Sequence, residues 1–242
     1  MEPIQKLKQG YAHLLDAPVA AFESPGLTFV ETGKRELPEW ANWVITLWLL
    51  SMGPAVICSV APRYTAVAQT LVESLKNESL LSPAMAGKAR QLINAEGWQQ
   101  REILYFPAQE LPPVFRSAHM RPYPVEKLRP GIAGEAILKA FDGPVFVVRN
   151  QAEQIVAHAG IKKKGILREI AVGVGSAYRR KGMGTAVVAT AVTEILAQEQ
   201  LPVFIPDRLT NAASYALAHS LGFVKGAEML FWEYEQPGWQ GF

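Results

Sequence analysis

Between Trp40 and Pro62 the chain runs for 23 residues without a charge (WANWVITLWLLSMGPAVICSVAP). About 20 apolar residues suffice for a helix to span a bilayer, so this run decides between a membrane protein and one with a large apolar core. Gly53-Pro54 breaks it in the middle, and the halves read separately. On one side Pro38 suits a first helical position and Glu39 favours the positive end of a helix. Trp40, Trp43, Val44, Leu47 and Leu50 then recur at helical spacing. On the other side, Ala55 to Val60 has the length and composition of a short buried strand. The expectation is helix, turn and strand inside a core, with no membrane span. With 49% apolar and 19% charged side chains, the chain can bury such a core. Its 242 residues, at about 150 per domain, suit one large domain or two small ones.

The charges narrow the partners. A net charge of +2 excludes a generic polyanion binder, which needs a clear basic excess. Residues 1–120 carry 10 basic and 11 acidic side chains, and the remainder 14 and 11. A phosphate-bearing ligand therefore belongs to the second half. The single cysteine, Cys58, excludes an internal disulfide and any multi-cysteine metal site, and its apolar surroundings read as packing rather than as a reactive thiol. The four histidines and one cysteine have no spacing suited to a metal. The N-terminal MEPIQKLKQGYAHLL is too mixed for a secretory signal, so a cytoplasmic location is expected.

Along the first half, Pro62 opens a helix through Leu75, Ser82-Pro83 caps and starts another that Gly97 closes, and Arg101 to Phe106 reads as a strand. Six of the 17 prolines then fall between residues 107 and 130, which resists helix and central strand alike. The expected domains are 1–117 and 118–242. The second domain reads as a helix over 131–141 and strands over 144–149, 154–161 and 166–174, with turns at 150–153 and 162–165. These links are short enough for an antiparallel meander. Beyond them come a helix over 184–198, a strand over 202–205, a helix over 211–220 and a strand over 229–234. In this scheme Lys162 to Lys164 form a charged hairpin turn or touch an outer phosphate, and His158 is a structural mid-strand histidine.

The segment Glu169 to Ala186 (EIAVGVGSAYRRKGMGTA) carries the chemistry. A strand enters a basic turn with glycines, and the turn opens directly into a helix. Glycine lets a backbone approach closely, the first amides of a helix lack internal acceptors, and the positive helix end favours an anion. With Arg179, Arg180 and Lys181 at the same place, this is an arrangement for holding a pyrophosphate. It matches neither the Gly-x-Gly-x-x-Gly nor the Gly-x-x-x-x-Gly-Lys-Ser/Thr loop.

Arg179-x-x-Gly182-x-Gly184 resembles the Arg/Gln-x-x-Gly-x-Gly/Ala signature of the GNAT superfamily of N-acetyltransferases, and Asn211 to Phe223 resembles that family's Asn-x-x-Ser helix ending in Leu-Gly-Phe. The resemblance covers residues 118 to 235. It implies an α/β fold with a mixed, mostly antiparallel central sheet flanked by helices, preceded here by a smaller mixed α/β helper domain of unassigned role. It also implies acetyl-CoA as acyl donor, no metal, and acetyl transfer to a primary amine by direct attack in a ternary complex. The acceptor expected is a small-molecule amine, with a protein amine as the variant within the class and a non-catalytic acyl-CoA sensor as the rival. Neither nucleic acid nor membrane is an expected partner, and nothing in the sequence sets the oligomeric state.

Carried over by position, Val172 and Val174 present backbone groups to the pantetheine arm, and an amide at or beside Val174 polarises the carbonyl. Arg179, Arg180, Lys181, Gly182, Met183, Gly184 and Thr185 surround the pyrophosphate. Asn211, with Ser214 one turn on, matches the asparagine near the cofactor's thiol end, or is an ordinary helix N-cap. Glu169 is a candidate general base, sharing a strand face with Ala171 and Gly173, or it simply pairs with a nearby Lys or Arg. The pattern departs from the family at the general acid. Ala218 stands where many relatives have tyrosine, so the thiolate's proton comes from Tyr215, from water, or from nowhere.

Overall fold

The computed structural model describes residues 1–40, 43–74, 79–92, 97–113, 115, 123–129, 141–206 and 211–235. In chain order its helices are α1 (Pro3–Leu15), α2 (Thr65–Glu73), α3 (Pro83–Leu92), α4 (Met183–Ala197) and α5 (Ala212–Ser220). Its strands are β1 (Gly26–Glu31), β2 (Pro38–Trp40), β3 (Trp43–Met52), β4 (Ala55–Val60), β5 (Trp98–Tyr105), β6 (Glu126–Leu128), β7 (Val145–Arg149), β8 (Ile155–Lys164), β9 (Leu167–Val174), β10 (Leu201–Phe204) and β11 (Val224–Glu235). The chain separates into two compact units. One joins Tyr11–Ile103 to Gly226–Phe242, and the other joins Met1–Gly10 to Leu104–Lys225. Each unit takes two stretches of chain, so these units do not coincide with the expected division at 117/118. The last strand and the first helix turns have their contacts in units that the linear order does not announce.

In the first unit β3 lies between β4 and β11, antiparallel to both, while β1 pairs parallel with β4. The uncharged run is therefore a hairpin, β3 and β4 joined at Gly53, whose φ of 57° suits glycine. Where a helix is expected beyond Pro38, Trp43–Met52 form the strand β3. On one face Leu47 and Leu49 join Cys58, Val60 and the α2 residue Leu71. On the other, Trp48 meets the edge of Tyr11 at 6.1 Å and the Arg35 guanidinium at 5.4 Å. A strand covered on both faces needs apolar residues at every position, so it loses period-two alternation and satisfies helical spacing by coincidence. Pro38 likewise sits in β2, paired with β3, and not at a helix start. Ser82 does cap α3, its hydroxyl accepting from the Met85 amide at 3.1 Å.

The second unit holds the sheet that positions the site, in the order β6-β7-β8-β9-β10, with the last residues of β5 on β10. All pairs are antiparallel except β9 with β10. This is the mixed, mostly antiparallel sheet flanked by helices that the sequence implied. Helix α4 packs Val188, Val192 and Ile195 into a core with Ile170 of β9 and Phe204 of β10. The turn expected at Lys162–Gly165 is shifted. Lys162, Lys163 and Lys164 belong to β8, opposite Glu169, Arg168 and Leu167, and only Gly165 and Ile166 link the strands. The helix expected over 131–141 lies outside the described residues, apart from Phe141. Among the described residues no helix is long and apolar enough to cross a membrane.

Candidate active site

The site begins where two strands part. β9 pairs with β10 only through Leu201↔Leu167, Pro202↔Arg168 and Val203↔Glu169, and β9 then continues to Val174. On the opposite edge β9 remains paired with β8 as far as Val174↔Ala157. The Gly175 amide donates to Val156 O of β8 at 2.9 Å, and the Leu201 amide donates to Ile166 O at 3.2 Å. Backbone groups alternate in direction along a strand, so those of Val172 and Val174 point to the side that β10 has left. Arg179 Nε already donates to Val174 O at 3.3 Å, tying the turn back to the strand end.

The turn follows directly. Ser176–Tyr178 form one 3₁₀ turn, Arg180 takes a left-handed conformation (φ 60°), and Gly182 takes another (φ 83°) as the N-cap of α4. The first bond into the helix is the Ala186 amide to Gly182 O, 3.0 Å. The six amides from Arg180 to Thr185 thus have no acceptor among the described residues, and they gather at a positive helix end beside the exposed Arg179, Arg180 and Lys181. The two glycines act differently. Among the described residues a Cβ at Gly182 would meet only Tyr123 Cε2, at 3.7 Å, so the backbone angle is what requires glycine. At Gly184 a Cβ would stand 3.3 Å from Val174 Cγ2 and 3.5 Å from Leu217 Cδ2, so there the need is close packing.

One supporting residue was not found from the sequence. Tyr123 Oη donates to Lys181 O and braces the turn from outside. Tyr178 adds a second prop, its hydroxyl bonded to Asn150 Nδ2 at 3.1 Å and its ring 5.5 Å from Lys181 Nζ.

The proton-handling candidates lie apart from this geometry. Glu169 sits at the paired root of β9, its side chain 16% exposed, with Lys164 Nζ 2.8 Å from Oε2 and Lys162 on the neighbouring strand. Burial pushes its pKa up, but Lys164 and Lys162 outweigh that and hold the carboxyl below its ordinary value. Of its two expected roles the ion pair is the one seen, and a carboxyl held below its ordinary value takes up a proton less readily. Tyr215 packs against the α4 core and the His219 ring, at 4.5 Å between centroids. Ala218 is fully buried. Asn211 is exposed and caps α5, its Oδ1 accepting from the Ser214 amide at 3.2 Å. Among the described residues no group of three or more His, Cys, Asp or Glu could hold a metal ion.

Residues 109–223 match the model of the acetyltransferase (GNAT) family. That part of the chain belongs to the GNAT family. A comparison with curated proteins finds no match. Among solved structures, the chain is similar to a GCN5-related N-acetyltransferase-like protein from Streptococcus suis. The identity is 13%, the alignment covers 81% of this chain and 85% of that one, and the TM-score of 0.50 shows a shared fold. A GCN5-related N-acetyltransferase from Sphaerobacter thermophilus is similar at 13% identity over 76% and 73%, with a TM-score of 0.46. A GNAT-family structure from Novosphingobium aromaticivorans shares 19% identity, covering 57% of this chain and 66% of its own, at 0.42.

Proposed function

We propose that this GNAT domain moves an acetyl group from acetyl-CoA to a primary amine by direct attack in a ternary complex. The observation that carries the reading is an arrangement of open donors in two groups, the outward-facing backbone of Val172 and Val174 and the six amides of Arg180–Thr185. It offers an extended edge for an amide-bearing arm and ends in a basic, glycine-lined anion seat. That combination fits coenzyme A, whose thioester supplies an activated acyl group. Arg180, Lys181 and the amides around Gly182 hold the pyrophosphate, and the β9 edge aligns the arm. An amide at Val172 or Val174 suits polarisation of the carbonyl, since it is fixed before the reaction starts.

Calorimetry with acetyl-CoA, followed by thiol release across a panel of small amines and lysine peptides, tests this. One binding site per chain and turnover with at least one amine is the expected result. Binding without transfer to any amine would favour the sensor reading, which Ala218 in place of the usual tyrosine makes specific. Absence of binding would sink both.

A further inference from the structure

His158 on β8 lies directly opposite Gly173 on β9. A Cβ built on Gly173 would stand 2.9 Å from His158 Nε2 and 3.0 Å from Nδ1, and would collide with Cε1. The imidazole therefore fills the place that the missing side chain leaves. It rests on the β9 backbone between Val172 and Val174, the residues whose outward backbone groups line the parted edge. The strand registers fix what else shares this face. The row through His158 is Glu126, Val147, His158 and Gly173, and the next is Leu128, Val145, Gly160 and Ala171. Helix α4 packs on the opposite face, with Ile170, Val172 and Val174. Phe141, Val145 and Val147 are buried on the His158 face, but His158, Ala171 and Gly173 are only half-buried, which leaves the β9 end of that face for a second substrate to approach.

The charged groups described on this face are already committed. Glu126 pairs with Arg149 at 2.9 Å, and Glu169 pairs with Lys164 beside Lys162. His158 has no hydrogen-bond partner among the described residues, and the nearby ring is Phe141, 6.2 Å away between centroids. Burial pushes its imidazole below the usual histidine range, so at neutral pH it is the proton-free form that stands there.

We propose that His158 is the catalytic base of acetyl transfer and also returns the proton to the departing sulfur. This rests on the acetyl-transfer reading above. His158 accepts the proton that the amine nitrogen sheds as its lone pair forms the C–N bond to the acetyl carbon. It then gives that proton to the sulfur as the C–S bond breaks and the electron pair leaves on sulfur. The ring ends neutral, and the products are the amide and the free thiol. A proton acceptor well below the free amine's value suffices, because nitrogen becomes acidic once the new bond forms. The same shuttle accounts for a chain that has Ala218 where relatives place an acid.

The test uses the full chain and two variants, His158→Gln and Gly173→Ala. The second keeps the imidazole but displaces it. His158→Gln should lower kcat by at least about 100-fold, the usual minimum for a general base, with the acetyl-CoA Kd within threefold. The native rate should rise with pH through a midpoint below about 6.5, the free histidine value, and the variant should lack that limb. Gly173→Ala should lose activity in the same direction while keeping a cooperative melt, lowered by no more than overpacking of this kind costs, which keeps the test alive should His158→Gln misfold. Independently of turnover, the His158 ring signals in a ¹H–¹⁵N NMR spectrum, assigned by their loss in the variant, should move on saturation with acetyl-CoA. An active native protein whose His158→Gln variant keeps its rate and its acidic limb would overturn the histidine alone. Ring signals that ignore acetyl-CoA would do the same. A native protein that acetylates no amine would overturn the parent reading, and this inference with it.

Discussion

The Tyr123 hydroxyl donates a hydrogen bond to the backbone carbonyl of Lys181, the residue between the strained Arg180 and the helix cap Gly182. Arg180 and Gly182, on either side of that carbonyl, both hold positive φ, which strains Arg180 though not the glycine, so a fixed strut helps to keep the turn preformed. Tyr123→Phe removes the strut and keeps the ring. The expected outcome is a rise of roughly fivefold in the acetyl-CoA Kd, corresponding to about 1 kcal/mol for one neutral hydrogen bond. Because the hydroxyl is at the surface, the melting temperature should hardly change. An unaltered Kd by calorimetry would show that the turn holds its shape without the tyrosine.

The glycines of the turn should fail in distinguishable ways. Gly182→Ala makes an ordinary contact with Tyr123 but must hold φ near 83°, which disfavours an L-residue by about 1 kcal/mol or more. Its effect should appear as weaker acetyl-CoA binding with a modest loss of stability. Gly184→Val instead brings branches toward Val174 and Leu217, already 3.3 and 3.5 Å from the first added carbon. Overpacking of this kind costs about 1–3 kcal/mol, so a lower melting temperature should accompany a Kd at least tenfold weaker. Thermal melts and calorimetry on both variants separate a conformational fault from a packing fault.

Cys58 provides a control on the first unit's core. It is fully buried on β4 among Leu47, Leu49 and α2, and burial pushes its thiol pKa up to about 12. Reaction requires thiolate, so iodoacetamide at pH 8 should leave the native protein unlabelled for hours and label it stoichiometrically in denaturant. Fast labelling without denaturant would mean that the β3–β4 hairpin opens readily.

The turn over residues 179–184 was legible because its pattern is local. Arg179, Gly182 and Gly184 are neighbours in sequence, and the strand before them and helix after them each announce themselves over a few residues. Tyr123 was not legible. Its partner Lys181 lies 58 residues away, and the proline-rich segment that carries it has no periodicity to place a side chain. β3 was misread because burial on both faces erases the alternation that marks a strand. His158 is the intermediate case. Its strand is expected over 154–161 and runs over Ile155–Lys164, and the β8–β9 register that puts it over Gly173 depends on where the turn falls. Reading Lys162 to Lys164 as the turn, when β8 runs on through them, left the cross-strand neighbour unassigned and hid the pairing of Lys164 with Glu169.

Glu169→Gln tests that last pair, and pH supplies the sign. In the folded chain the carboxyl is held below its ordinary value by Lys164 and Lys162, despite burial acting the other way. Between the folded value and the unfolded value of about 4.3, the unfolded chain binds more protons, so stability rises with pH across that window. The ion pair's contribution is therefore fully present above the unfolded value and is lost as pH falls through the folded one. Gln keeps the shape and removes the charge, leaving Lys164, 24% exposed, without its anion. A hydrogen bond to a charged group contributes roughly 1.5–3 kcal/mol, and partial exposure puts the expected loss toward the lower end. Urea unfolding at pH 7 should show the variant less stable by about 1–2 kcal/mol, on the scale of such charged bonds. At pH values below the folded carboxyl's midpoint the two proteins should converge, because the native side chain is then neutral as well. A difference that persists or widens in acid would mean that Gln disturbs packing and that the Lys164 pair is not what holds Glu169 in place. Equal stability at pH 7 would return the carboxylate to the list of groups free to take a proton from substrate.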